Sequence, residues 1–343
     1  MNKKDCPFFS VIIPVYQCER TINACVESVL TQGEESLEIV LVDDGATDQS
    51  SAICDSYHDR FPALVTVLHK RNEGPLAARL DGIQASTGQY VMFLDSDDRY
   101  LPGIFRRLRT VIQTTQADMV LFNHTRVLSD GTKNNNRPAY GNRQMFEGTA
   151  LSRLLEDAVT GSSLNALWQK CARRELLQGA ETFRQYGRLI IGEDKLLSLQ
   201  IIGNSNKAVY IADALYEYHI SRDSLSHSLG LRHYQDMATV LSEIRALSCK
   251  LGVNNYNYLY SKNKVEFGIS CLYSTARRVL MKSDTVRDFE SLAKQIKGDH
   301  AFWSAYDLCC SQIAIHKRIA CLLLRHGWTN VLFLFFKCSI QTK

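Results

Sequence analysis

Apolar residues in this chain arrive in short, nearly unbroken runs that alternate with helical patterns. Phe9 to Val15, Leu37 to Val42, Leu64 to Leu68, Tyr90 to Leu94 and Met119 to Phe122 read as strands. Between them, Ile22, Cys25, Val26, Val29 and Leu30 have helical spacing within Thr21 to Gln32, and Ser50 to Tyr57 and Pro75 to Ala85 also read as helices. Pro102 is placed in the first turn of a helix running to about Gln113. Ser129 to Arg143, with Gly131, three consecutive asparagines and Pro138, reads as a loop. From Thr149 onward helical patterns dominate, with one strand-like stretch around Ala208 to His219, and from Leu231 the chain reads as all-helical.

Strands that are apolar throughout and separated by helices predict a mostly parallel sheet covered on both faces, an α/β fold with a C-terminal helical region. The expected division is residues 1–228 and residues 229–343. Ligands of such sheets bind beyond the carboxyl ends of the strands. Two acidic clusters, Asp43-Asp44 and Asp95-Ser96-Asp97-Asp98, stand just past two of those ends.

Composition narrows the classes. At 343 residues, 45% hydrophobic and 22% charged, the chain has room for a large core, and a net charge of +4 does not argue for nucleic acid as a partner. Eleven scattered cysteines lack metal spacing and read as reduced, buried thiols. No run of about twenty apolar residues predicts a membrane span. After Asp307 no acid remains, while Lys317, Arg318, Arg325, Lys337 and Lys343 accompany apolar runs. That tail has two readings: a helix lying on an anionic membrane surface, or a hairpin packed on the rest of the chain.

The chemistry of the acidic clusters follows from their place. A turn directly after a strand aims Asp95 and Asp97 at one point, and a hard divalent cation takes one or two carboxylates plus phosphate oxygens. The alternative is a polar turn with Asp98 as a helix cap. Asp43 and Asp44 have the chemistry to accept hydrogen bonds from a ribose or a base, and Gly45 allows the tight turn.

The two clusters stand about fifty residues apart. Together with Ser10-Val11-Ile12-Ile13-Pro14-Val15-Tyr16, with Asn72-Glu73-Gly74 through Arg79, and with Gly88 through Asp98, they resemble the inverting family-2 glycosyltransferases of GT-A fold that build bacterial surface polysaccharides. The resemblance is strong over residues 8–125 and weaker to about residue 228. It implies a nucleotide-sugar donor and Mn²⁺ or Mg²⁺. Pro14 and Tyr16 would line the nucleotide base, Asp44 would contact it, and Asp43 would face the ribose. Asp95, Ser96 and Asp97 match the DxD motif, with Asp97 toward the metal and Asp95 toward the ribose or the metal, and Arg79 would help hold the donor.

Further along, Glu193-Asp194 resembles the family's catalytic pair, with Asp194 as general base and Glu193 beside it. The alternative is that both acids simply favour the first turn of a helix. Trp168 and Lys170 lie in a segment similar to the acceptor side, where Trp168 would stack on a sugar; the alternative is a partly buried core aromatic. Arg222 and His227 resemble the loop after the base and would reach the diphosphate or the metal. His219 stands where the family has arginine. His58, His69 and His124 are assigned to surface or packing.

The resemblance implies an acceptor that is a glycan or lipid-linked glycan, a β-linked product from an α-linked donor, and a cytoplasmic enzyme, at the inner face of the cell membrane if the tail lies on it. Two other classes fit the sequence less well. A sugar nucleotidyltransferase needs a glycine-rich first turn, and Val15 to Arg20 has no glycine. A non-catalytic nucleotide-sugar-binding scaffold would lack acids that are present here.

Overall fold

In the computed structural model, the described residues are 6–160, 165–220, 229–250, 252–253 and 255–341. The chain divides into two compact units, residues 1–189 with 193–222, and residues 190–192 with 223–343.

The first unit is an α/β layer structure. Strands β1 (Phe9–Val15), β2 (Leu37–Asp43), β3 (Val65–His69) and β4 (Tyr90–Phe93) pair in parallel in the order β3-β2-β1-β4. Helices α1 (Ile22–Leu30), α2 (Ser50–Arg60) and α3 (Pro75–Ala85) connect them. Both faces of this half are covered. Val11, Ile13, Val15, Ile39 and Leu41 share a core cluster with Cys25, Val26 and Val29 of α1. On the other face, Gly82 of α3 lies against Ile12 and Val42, so close that a side chain there would collide with Ile12. Continuous apolar runs are the signature of strands buried on both sides.

The other half is mixed. β6 (Met119–Val127) pairs in parallel with β10 (Lys207–His219), while β9 (Lys170–Arg173) runs antiparallel between β4 and β6. β5 (Arg99–Tyr100) and β8 (Gln144–Glu147) are short antiparallel partners of β10. Three sequence expectations change here. The polar stretch read as a loop contains β7 (Lys133–Asn135), an exposed edge strand on β6. Lys170 to Arg173, within a stretch read as mainly helical, is the buried strand β9, and four residues are too few for periodicity to show. Pro102 is not helical: α4 (Ile104–Thr115) begins after Gly103, whose φ of +84° forms the turn. Helices α5 (Thr149–Thr160) and α6 (Glu193–Asn204) complete the unit.

The second unit is helical, as the pattern from Leu231 predicts: α7 (Leu231–Lys250), α8 (Tyr256–Leu280), α9 (Val286–Gly298), α10 (His300–Cys309), α11 (Ile315–Arg325) and α12 (Thr329–Gln341). Its core joins Leu272, Phe289, Leu292, Phe302, Leu324, Leu332 and Phe336. Inside it, Asp299 takes Lys264 Nζ at 2.9 Å and the Tyr234 hydroxyl at 2.6 Å, so the buried lysine is paired.

Candidate active site

The parallel register brings three strand ends side by side. Val15 lies opposite Asp43, and Asp43 opposite His69. β4 ends alongside Ile12 of β1 and runs into Asp95. Tyr16, Asp43-Asp44 and Asp95 therefore leave the same edge of the sheet, the edge where ligands of this architecture bind. Tyr16 is exposed there, and Pro14 is half-buried.

Asp43 and Asp44 are both buried and differ in their partners. Asp43 accepts from the Ala46 N–H at 2.9 Å, from Ser51 Oγ, and from His69 Nδ1 at 2.9 Å. Burial pushes its carboxyl up, but these hydrogen bonds outweigh burial and hold it below the usual carboxylate range. His69 also meets Asp55 at 2.9 Å, so two carboxylates grip one imidazole and raise its pKa, Asp43 contributing most. His69 is thus more than packing: it fixes Asp43, a role that needs β2 and β3 paired and that no local pattern announces.

Asp44 accepts from the N–H groups of Glu73 (2.9 Å) and Gly74 (2.8 Å). Burial raises its pKa, and those two N–H groups pull the other way. Asp44 so pins the Asn72-Glu73-Gly74 loop at the start of α3. Gly45 has φ of +72°, and a Cβ there would stand 2.8 Å from the Asn72 nitrogen. Glycine is required by both the conformation and the close approach.

The turn after β4 separates four neighbours into different roles. Asp98 is buried and accepts from the Tyr216 hydroxyl (2.7 Å) and the His219 N–H (2.7 Å). It ties the turn to β10 and does not cap α4, which corrects the capping alternative. Asp97 is exposed at its tip yet crowded by protein; that desolvation, with Asp95 adding repulsion, pushes its carboxyl up to about 6. Ser96 is half-buried, and the Cys18 thiol is buried. The Asp95 backbone is held by the Cys25 thiol on its carbonyl (3.5 Å) and by the Tyr216 hydroxyl on its N–H (3.3 Å). Seven of the eleven cysteines are buried.

The Asp95 side chain leads to the base candidate. Arg79 of α3 is buried and bonds Asp95 Oδ1 at 2.9 Å, Glu193 Oε1 at 3.1 Å and Asp194 Oδ1 at 3.3 Å. One guanidinium therefore joins acids separated by about a hundred positions in the chain. Glu193 and Asp194 are first-turn residues of α6, so the helix-terminus alternative and the site coexist. The fork shape of arginine suits such a bridge, which lysine would not reproduce.

Burial raises the Asp194 pKa, Arg79 opposes the rise, and Glu193 and Asp95 add to it. Lys170 is buried nearby and donates to the Ala166 carbonyl at 2.7 Å. Burial lowers its pKa to about 7 despite the pull of Asp194.

Trp168 does not offer a face to a sugar. It is 8% exposed and stacks on Tyr216 at 4.3 Å and Tyr218 at 5.5 Å, with His124 edge-on. Its rings fill the core beneath β10, which corrects the stacking expectation. Arg222 and His227 lie outside the described residues.

A mostly parallel α/β sheet with two acidic turns at one edge and a carboxylate pair held behind them defines a GT-A-type nucleotide-sugar fold. Residues 10–172, a little under half of the chain, match glycosyl transferase family 2. It is 28% identical over 254 residues to glycosyltransferase GlyA of Streptococcus pneumoniae, covering 71% of this chain and 35% of GlyA. It is 29% identical over 220 residues to the uncharacterized glycosyltransferase EpsJ of Bacillus subtilis, covering 64% of this chain and 63% of EpsJ. The chain thus spans less than two thirds of either relative. The crystal structure of S. aureus TarS 1–349 in complex with UDP-GlcNAc superposes with a TM-score of 0.67 at 19% identity, over 98% of this chain and 92% of that one.

Proposed function

We propose that this chain moves a sugar from a nucleoside-diphosphate sugar, a UDP-sugar, to a hydroxyl of a glycan or lipid-linked glycan in surface-polysaccharide synthesis, with inversion. The observation that carries it is the Arg79 bridge, which puts a carboxylate of the donor motif and the base candidate around one cation. UDP-GlcNAc in the TarS structure, and the minor teichoic acid biosynthesis protein GgaB of Bacillus subtilis, 26% identical over 229 residues, support the donor class and the acceptor class.

Asp194 accepts the acceptor's hydroxyl proton. The freed oxygen pair forms the new bond to the anomeric carbon while the bond to the diphosphate breaks, and the diphosphate leaves with that electron pair on the opposite face. Glu193 shares Arg79 with Asp194 and orients it. Pro14 and Tyr16 border the base, Asp44 with its loop receives it, and Asp43 lies toward the ribose. Lys170 steadies the Asp194 end of the pocket. Residues 1–228 carry this chemistry and residues 229–343 are an accessory helical region.

Among the described residues no three acids, histidines or cysteines gather into a metal cluster. Asp97, exposed and without an ion-pair partner in the described set, and Asp95 supply the two carboxylates that Mg²⁺ or Mn²⁺ takes alongside phosphate oxygens, so the donor set fits. Bound there, the cation would offset charge developing on the diphosphate. A lipid-linked acceptor sets the work at the cytoplasmic face of a membrane.

The test is thermal stabilisation followed by transfer. UDP with Mn²⁺ raises the melting temperature of the wild type, Asp97→Ala loses the metal-dependent part, and Asp194→Asn keeps the shift but not transfer. Absence of any shift with UDP, GDP or their sugars would reject the donor reading. Undiminished transfer by Asp194→Asn would move the base elsewhere.

A further inference from the structure

The last two helices of the second unit have opposite faces of different character. Ala320, Cys321 and Leu324 of α11 and Leu332 and Phe336 of α12 are buried in the helical core. The packed-hairpin reading therefore holds. Loss of residues 313–343 would take out part of that core.

The outward face remains. Ile315, Ile319 and Leu322 are spaced i, i+4, i+7 along α11, Trp328 stands in the connection, and Val331 and Leu334 follow at i, i+3 on α12. These six are between 41% and 72% exposed. Single exposed apolar side chains are ordinary, but six sharing two consecutive helices mark an interaction surface.

The charges on this segment have one sign. From Leu308 to Lys343 the sequence contains no Asp or Glu. Arg318 is exposed between Ile315 and Leu322, and Arg325 is exposed one turn further, where it meets Asp307 at 3.1 Å. No helix among the described residues is long and apolar enough to cross a membrane. A face that projects apolar side chains from helix ridges, carries arginine among them, and includes a tryptophan between its two helices matches the chemistry of a bilayer interface.

We infer that this face of α11 and α12 lies on a membrane surface rich in anionic lipid, with the six apolar side chains in the headgroup region and Arg318 and Arg325 toward the lipid charges. The inference deepens the lipid-linked acceptor reading by naming the chain's own contact with the membrane. It rests on the second unit alone, so its failure leaves the donor chemistry untouched, and failure of that chemistry leaves it standing.

The experiment is flotation of the full chain with vesicles of phosphatidylcholine, with and without 30% phosphatidylglycerol. The wild type is expected to float with the anionic vesicles at least about tenfold more strongly than with the neutral ones, and to lose that binding in high salt. Leu322→Glu with Val331→Glu places two charges on the face without touching the buried residues, and should cut flotation about tenfold or more while leaving the melting temperature and the UDP shift unchanged. Arg318→Gln should lower only the anionic component. Failure of the wild type to float, or equal flotation of the double variant, overturns the inference. So does wild-type self-association that the double variant abolishes without vesicle binding in either, since the face would then be a contact between copies.

Discussion

Replacing Arg79 by methionine removes one buried cation from among three carboxylates while keeping most of its volume. The Arg79 side chain is 6% exposed, and Asp95, Glu193 and Asp194 are 29%, 13% and 28% exposed. Breaking a buried pair by removing one partner costs roughly 3–5 kcal/mol. Two of the three acids keep some water, which sets the expected loss near the low end, about 3 kcal/mol. At about 2–4 °C per kcal/mol for a unit of this size, the transition should fall by about 6–12 °C.

The pH dependence of that loss tests its cause. Burial already raises the Asp194 carboxyl against the pull of Arg79, and without Arg79 it rises further. An acid whose folded pKa lies above its unfolded value costs stability once the pH exceeds the unfolded value, and the cost grows until the pH passes the folded value. The gap between wild type and Arg79→Met should therefore be widest at pH 8 and narrow toward pH 5, where the raised Asp194 carboxyl protonates. Scanning fluorimetry at pH 5, 6.5 and 8 reads it, and Arg79→Lys should recover only part of the loss because one ammonium cannot span three acids. A gap below about 2 °C at pH 8, or one that does not change with pH, would refute electrostatic bridging as the role of Arg79.

Three further outcomes follow from neighbouring residues. Asp194→Asn should lower kcat by about 10²–10⁴, and wild-type turnover should climb with pH as the raised Asp194 carboxyl ionises, a limb absent from the variant's residual rate. His69→Asn should destabilise most at low pH: its folded pKa is raised, so its contribution is fully present below the ordinary value of 6.5 and disappears as pH climbs through the raised one, and an equal gap in melting temperature at all pH would reject the Asp43–His69–Asp55 tie. Trp168→Ala should cost about 3–5 kcal/mol in urea unfolding, as loss of a core aromatic does. A stable variant with only a weakened acceptor KM would return Trp168 to sugar stacking.

How much of this was legible in the sequence depends on the range over which each feature is determined. The four parallel strands were legible because each is buried on both faces, and a run such as Val11-Ile12-Ile13 needs no partner to declare itself. β9 was not, since four residues reading Lys-Cys-Ala-Arg carry no period, and Lys170 is buried only because β4 and β6 close over it. At the site, Asp95 and Asp97 could be picked out because acids directly after a strand stand apart from their surroundings, whereas Asp194 needed the family resemblance, since a helix start alone accounts for an acid there. Their partners could not. Asp98 looks like its neighbours until Tyr216 arrives from β10, and Trp168 looks like a sugar platform until Tyr216 and Tyr218 take its face.

Arg79 shows the same limit and explains it. Along α3 it occupies one polar position in Leu76-Ala77-Ala78-Arg79-Leu80, a segment buried almost throughout. A buried arginine on an apolar helix face is costly unless carboxylates meet it, so its presence implies acids from elsewhere in the chain without saying which. Only the packing of α3 against the turn after β4 and the start of α6 names them. Its three partners are also the acids that the family resemblance sets in the donor motif and in the catalytic pair. That convergence is why the bridge, more than either motif, supports proposing donor contact and proton transfer at one site.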